Sequence, residues 1–123
     1  EAEQLNQIAH TLADLRNRSA EMRGIFDFDL KSKTLEEVRR ALEDPKVWDD
    51  PAKAQELGKQ KKQLEGVVTT LTDLDRGLSD SGELFELARV DDDDATLAAV
   101  REDVAGLAKV VEDVLHFGIG ELR

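Results

Sequence analysis

The sequence predicts an all-α protein, an elongated antiparallel helical bundle with coiled-coil-like heptad seams, and three observations predict it. Apolar residues recur at alternating steps of three and four along most of the chain, the spacing that gathers them into one stripe along a helix. The only prolines, Pro45 and Pro51, bracket a single loop and leave the rest free of the strongest helix breaker. Apolar residues make up 40% of the 123 residues, enough for the core of one ordinary domain. The expected architecture is one domain over 1–123 built from three long or medium helices plus short pieces, at roughly 3–25, 30–43, 51–77, 82–89 and 93–117.

The first helix carries Leu5, Ile8, Leu12, Leu15, Met22 and Phe26, with the small Ser19 filling the one gap in the alternation. Gly24 and Asp27-Phe28-Asp29 supply its end and candidate caps for the next helix. Thr34-Leu35-Glu36-Glu37 matches a capping box, in which hydroxyl and carboxylate satisfy each other's free backbone amides. Leu35, Val38, Ala41 and Leu42 make the apolar face that follows. Pro45 ends this helix, because the residue before a proline is pushed out of helical geometry.

Asp50-Pro51 starts the third helix, an acidic cap followed by proline at the first helical position. Leu57, Leu64, Leu71 and Leu78 follow at seven-residue intervals with Ala54, Val67, Val68 and Leu74 beside them, while Lys61 and Asp75 interrupt the seam. Gly77 to Gly82 reads as a break. A piece of one to two turns then sets Leu84, Phe85 and Leu87 against the core. Asp91-Asp92-Asp93-Asp94 precedes the last helix, whose Leu97, Val100, Val104, Leu107, Val111 and Val114 step by three and four again.

Charge and composition narrow the function. Seventeen basic against 28 acidic residues leave a net charge of −11, which argues against autonomous binding to nucleic acid or to an anionic membrane surface. Aromatics make up 4%, with no Tyr and a single Trp, so base stacking is not its trade. There is no Cys, which removes disulfides, thiolate metal sites and thiol catalysis. No apolar run approaches a membrane span and the first residues do not form a secretion signal. A soluble cytoplasmic protein is expected.

Each candidate constellation has a plainer reading. The run Asp91–Asp94 has the oxygen ligands a divalent cation wants, but not the spaced ligands, central Gly and terminal Glu of a calcium loop. Capping of the last helix is preferred. His116 lies one turn from Glu112 and His10 stands alone; two ligands do not make a metal site. Ser19, Ser32, Ser79 and Ser81 sit in no nucleophile context, and no phosphate-binding glycine loop occurs. Lys59-Gln60-Lys61-Lys62 reads as a solvated helix face. The sequence thus predicts no catalytic, cofactor-binding or metal residues, no cofactor and no enzyme. Pro45-Lys46-Val47-Trp48-Asp49-Asp50-Pro51 is the least generic stretch. Its Trp48 is expected to fold back onto the bundle end and lock the turn, in preference to serving as an exposed partner contact.

Taken in order, Met22-Arg23-Gly24-Ile25-Phe26-Asp27-Phe28-Asp29, Leu35-Glu36-Glu37-Val38 and Pro45 to Pro51 resemble the N-terminal domain of the bacterial peptide chain release factor 2 family, class I release factors. Ala54-Gln55-Glu56-Leu57-Gly58-Lys59, Leu64-Glu65-Gly66-Val67-Val68, Leu84-Phe85-Glu86-Leu87-Ala88 and the acidic approach to the last helix extend the resemblance over roughly residues 5–115. The family's Gly-Gly-Gln and Ser-Pro-Phe strings are absent, and His116 to Arg123 departs from the family's usual basic, aromatic exit. No catalytic or codon-reading residue is therefore carried over.

The resemblance implies a non-catalytic domain of a codon-specific factor acting in bacterial translation termination. It implies a partner, the bacterial ribosome near the large-subunit stalk base, in the context of the full-length factor. A monomer is expected, with a dimer if truncation exposes apolar surface. The rival reading is a stand-alone coiled-coil adaptor or oligomerisation module, which the heptads alone fit equally well.

Overall fold

The other helices of the chain all pack against one long central helix. A computed structural model describes residues 2–120, and among them four α-helices and one short 3-10 helix hold nearly all the chain, with no strand. In order they are α1 (Ala2–Ile25), α2 (Phe28–Glu43), the 3-10 turn (Pro45–Asp49), α3 (Pro51–Val90) and α4 (Asp94–Phe117). The fold class is the expected helical bundle.

The central helix α3 has 40 residues, a rod of about 60 Å. Both α1 and α2 run antiparallel to it, one after the other. Arg16 reaches the Leu78 carbonyl, Arg23 pairs with Asp75, and Arg39 pairs with Glu65. Parallel to α1 lies α4, joined to it by Arg101 to Gln4 near one end and Arg18 to Glu112 near the other. The second half of α3 is therefore one member of a three-helix bundle, whereas its first half is accompanied by α2 and the 3-10 turn.

The main core belongs to the three-helix half. Ile8, Leu12, Leu15 and Met22 from α1 meet Leu71, Leu74, Leu78 and Phe85 from α3, and Val100, Val104, Val111 and Val114 from α4. In the arm formed by α2 and the start of α3, only Leu35, Val38, Val47 and Ala54 are fully buried apolar residues.

Three expectations are corrected. First, α3 does not break between Gly77 and Gly82: it is continuous to Val90. Leu71, Leu74, Leu78, Ser81, Phe85 and Ala88 are buried in unbroken alternation, so burial outweighs the roughly 1 kcal/mol that each helical glycine costs relative to alanine. Both glycines lie under a neighbour. A Cβ on Gly77 would stand 2.8 Å from Leu107 Cδ2, and one on Gly82 would stand 2.6 Å from Arg16 Nη2.

Second, of the residues expected to face the core after the break, Phe85 does so, while Leu84 and Leu87 are exposed. Continuing the helix without a break sets their direction.

Third, Thr34 does not cap α2. The helix begins six residues earlier, after Asp27 in left-handed backbone geometry (φ 53), and the Thr34 hydroxyl donates to the Leu30 carbonyl at 2.9 Å inside it. Phe26 and Phe28 pack against the main core and Arg23 lies 4.1 Å over the Phe28 ring. That anchorage fixes the start of α2 directly behind α1.

Candidate functional site

The loop between the prolines is built from two caps. The Asp44 carboxylate accepts from the Lys46 amide at 3.0 Å to open the 3-10 turn, and the Asp50 carboxylate accepts from the Lys53 amide at 3.3 Å to open α3, as expected for Asp50-Pro51. Between them Val47 is buried and holds the turn onto the helices.

Trp48 folds back onto the end of α2 as expected, but as an exposed ring and not a buried anchor. Its indole N–H donates to the Leu42 carbonyl at 2.8 Å, which fixes the ring against the end of α2. The side chain nevertheless remains 60% exposed. The apolar anchoring falls to Val47, and the tryptophan is a fixed aromatic surface. A short 3-10 turn eclipses every third residue, so adjacent Val47 and Trp48 cannot both face inward.

Beside the ring lies an open groove of about 680 Å³ lined by Arg39, Leu42, Glu43, Trp48, Gly58, Lys61, Lys62 and Glu65. Arg39 donates to Glu65 at 2.8 Å. That hydrogen bond holds the Glu65 carboxyl below its usual value, against an opposing effect of burial and with a smaller lowering contribution from the charge of Lys61. Lys61 and Lys62 bring two members of the basic cluster to this groove. The arrangement offers a rigid aromatic plate between cations and carboxylates, which suits recognition of another macromolecule.

The acidic run performs the capping role. The Asp93 carboxylate accepts from the Thr96 amide at 3.1 Å and from its hydroxyl at 2.7 Å, and the Thr96 hydroxyl is the main reason its carboxyl titrates below the usual range. Asp91 closes α3, and Asp92 takes a left-handed conformation (φ 52) to turn the chain. Among the described residues, no three His, Asp or Glu side chains gather where they could hold a metal ion.

The histidines and serines find structural places. His10 is exposed on α1, and His116 sets its ring edge-on to Phe117 at 4.4 Å, while Glu112 is paired with Arg18. Ser19 and Ser81 are buried in the helix seams. The hydroxyls of Ser19 and Ser32 have no hydrogen-bond partner.

A family model for the PCRF domain matches residues 31–117, from the first turn of α2 to the last residue of α4. Peptide chain release factor 2 of Burkholderia pseudomallei (strain 1106a) is 57% identical over 99 residues, covering 80% of this chain and 27% of that protein. The same factor of Burkholderia cenocepacia is 58% identical over 99 residues with the same coverage. That of Bordetella avium is 53% identical over 100 residues, covering 81% of this chain and 27% of the relative. The match thus spans about a quarter of the length of these relatives. Because the family model takes in α2, the Trp48 loop, α3 and α4 without interruption, the chain belongs to the PCRF domain family.

Proposed function

We propose that this chain is a non-catalytic, N-terminal positioning domain of a codon-specific peptide chain release factor in bacterial translation termination. The observation that carries the reading is the 57–58% identity to peptide chain release factor 2 over 80% of the chain. The domain works in the cytoplasm on the ribosome, near the base of the large-subunit stalk, and orients the remainder of the factor. A central helix of about 60 Å, buttressed along its length, suits a spacer that transmits position. With a net charge of −11, the domain prefers a basic ribosomal protein to bare RNA phosphate as its neighbour. Trp48, large, fixed and exposed, is the side chain best built for that contact. No residue here is assigned a catalytic or codon-reading role, and no cofactor or metal is required.

The seams of the three-helix half close within one chain, which favours a monomer over the rival reading as a stand-alone coiled-coil adaptor. The test uses ribosomes carrying peptidyl-tRNA at a stop codon. The chain alone should bind large subunits, lose that binding when the stalk-base proteins are stripped, and release no peptide. Its single tryptophan supplies the signal, since a bound partner changes Trp48 emission. Codon-dependent release by the chain, or binding indifferent to the stalk base, would overturn the proposal.

A further inference from the structure

The first half of α3 carries the same heptad as the second but lacks a third helix. Leu57, Leu64, Leu71, Leu78 and Phe85 stand at one seven-residue interval, yet Leu71, Leu78 and Phe85 are buried whereas Leu57 and Leu64 are half-buried. The reason is positional. Leu107 of α4 sits over Gly77, α4 runs antiparallel to α3, and it ends at Phe117. Just past that point Ile119 still packs against the core, and farther along α3 an open groove of about 360 Å³ lies between α2 and α3.

Leu64 and Val67 supply apolar surface to this groove, with Lys31, Thr34, Gln60 and Gln63 completing its lining. No carboxylate lines it, in a chain with 28 acidic residues. Lys31 supplies the charge and Gln60, Gln63 and Thr34 supply neutral hydrogen-bonding groups. A helix occupying the position would extend the line of α4 and meet the continuation of the seam that α4 itself uses.

We infer that this groove is the seat for a third helix supplied by a partner, an amphipathic segment with an apolar stripe at heptad spacing and carboxylates along its edges. The apolar stripe covers Leu64 and Val67, and the carboxylates find Lys31 without meeting a like charge in the lining. This surface is separate from the Trp48 groove, and the inference does not depend on the ribosomal reading.

The probe is a synthetic peptide of the chain's own α4, Asp94–Phe117, a helix of this type already fitted to the α3 seam. It carries acidic Asp94, Glu102, Asp103, Glu112 and Asp113 against basic Arg101 and Lys109. Added to the intact chain, it is followed by methyl NMR at Leu64 and Val67, with Val100 and Val111 as internal controls. The covalently attached α4 holds its own seat at high effective concentration, so Val100 and Val111 should not shift. Leu64 and Val67 should shift saturably, with binding weakened by salt. Leu64→Glu should weaken binding about tenfold or more, and Lys31→Glu about two- to fivefold, with helicity by circular dichroism unchanged in both. Four results would each overturn the inference: no saturable shift at Leu64 and Val67 up to about 1 mM peptide, binding undiminished by Leu64→Glu, shifts at Val100 and Val111 instead, or concentration-dependent shifts at Leu64 without peptide. The last would assign the groove to a second copy of the chain.

Discussion

The two halves of α3 make a natural experiment in what a third helix contributes. Both halves carry leucines at the same heptad position, and both pair with an antiparallel helix. Over Leu71 and Leu78, α1 and α4 together exclude water almost completely, leaving these side chains 0% and 1% exposed. Leu57 and Leu64 stay half-buried, and Leu64 lines an open groove between α2 and α3. An amphipathic stripe therefore sets which residues face a neighbour, and the number of neighbours sets how much of the apolar surface leaves water. Since the stabilisation scales with that area at roughly 25 cal/mol per Å², the three-helix half is the stability centre and the arm is the more yielding part.

Core truncation has the largest expected effect. Leu71→Ala and Leu78→Ala should each cost about 3–5 kcal/mol in urea unfolding. Leu64→Ala should cost only about 1–2 kcal/mol, since much of its side chain already meets solvent. Equal losses at Leu64 and Leu78 would mean that the arm is as well packed as the bundle and would break the comparison. Hydrogen exchange sharpens the same point. Amides of α2 should exchange through local opening, at lower protection than those of α1 and the second half of α3.

Smaller gains are expected from removing buried hydroxyls, one in each half. Ser19→Ala and Ser32→Ala each delete an unpartnered buried oxygen and replace it with the best helix former. Each should raise stability by about 1 kcal/mol, read as a higher melting midpoint. Gly66→Ala, where a Cβ meets nothing within 4 Å, should add roughly 0.5–1 kcal/mol. Gly77→Ala should add less, because Leu107 must move aside.

The smallest effects are those of pH. Glu65 in the arm and Asp93 at the start of α4 both titrate below their ordinary values, chiefly through hydrogen bonds from Arg39 and Thr96 respectively. A carboxyl whose pKa is lowered by folding adds stability above its unfolded pKa and loses that contribution as pH falls through the folded value. Stability should therefore decline below about pH 4, and Glu65→Gln and Asp93→Asn should each flatten the acid limb. At neutral pH, Asp93→Asn should leave the melting midpoint nearly unchanged because Asn also caps well, whereas Asp93→Ala should lower it.

Several local features were legible in the chain because adjacent residues decide them. The caps at Asp50 and Asp93 needed only an acidic side chain ahead of a helix start. The seams of α1 and α4 needed only their periodicity. The continuity of α3 was also signalled. Ser81 fills a slot in the alternation of Leu74, Leu78, Phe85 and Ala88 as Ser19 does in α1, but Gly77 and Gly82 drew the reading toward a break. Thr34 likewise has the local form of a cap, and Phe26 and Phe28 overrule it by joining a core that lies far away in sequence. At the Trp48 loop, the composition marked an unusual site. Whether valine or tryptophan would take the buried place depended on the direction each side chain acquires in the 3-10 turn.

By itself, the sequence determined that this chain is helical, where the 3-10 loop lies, how α3 and α4 begin, and which stripe of each long helix seeks a partner. These follow from propensity, capping and periodicity, which act over a few residues. Only the tertiary structure decided that α3 is one 40-residue spine, that two glycines serve as seats for Leu107 and Arg16, and that one seam is buried along half its length. Those outcomes depend on what stands across from each residue, and the partners that supply the energy come from distant parts of the chain.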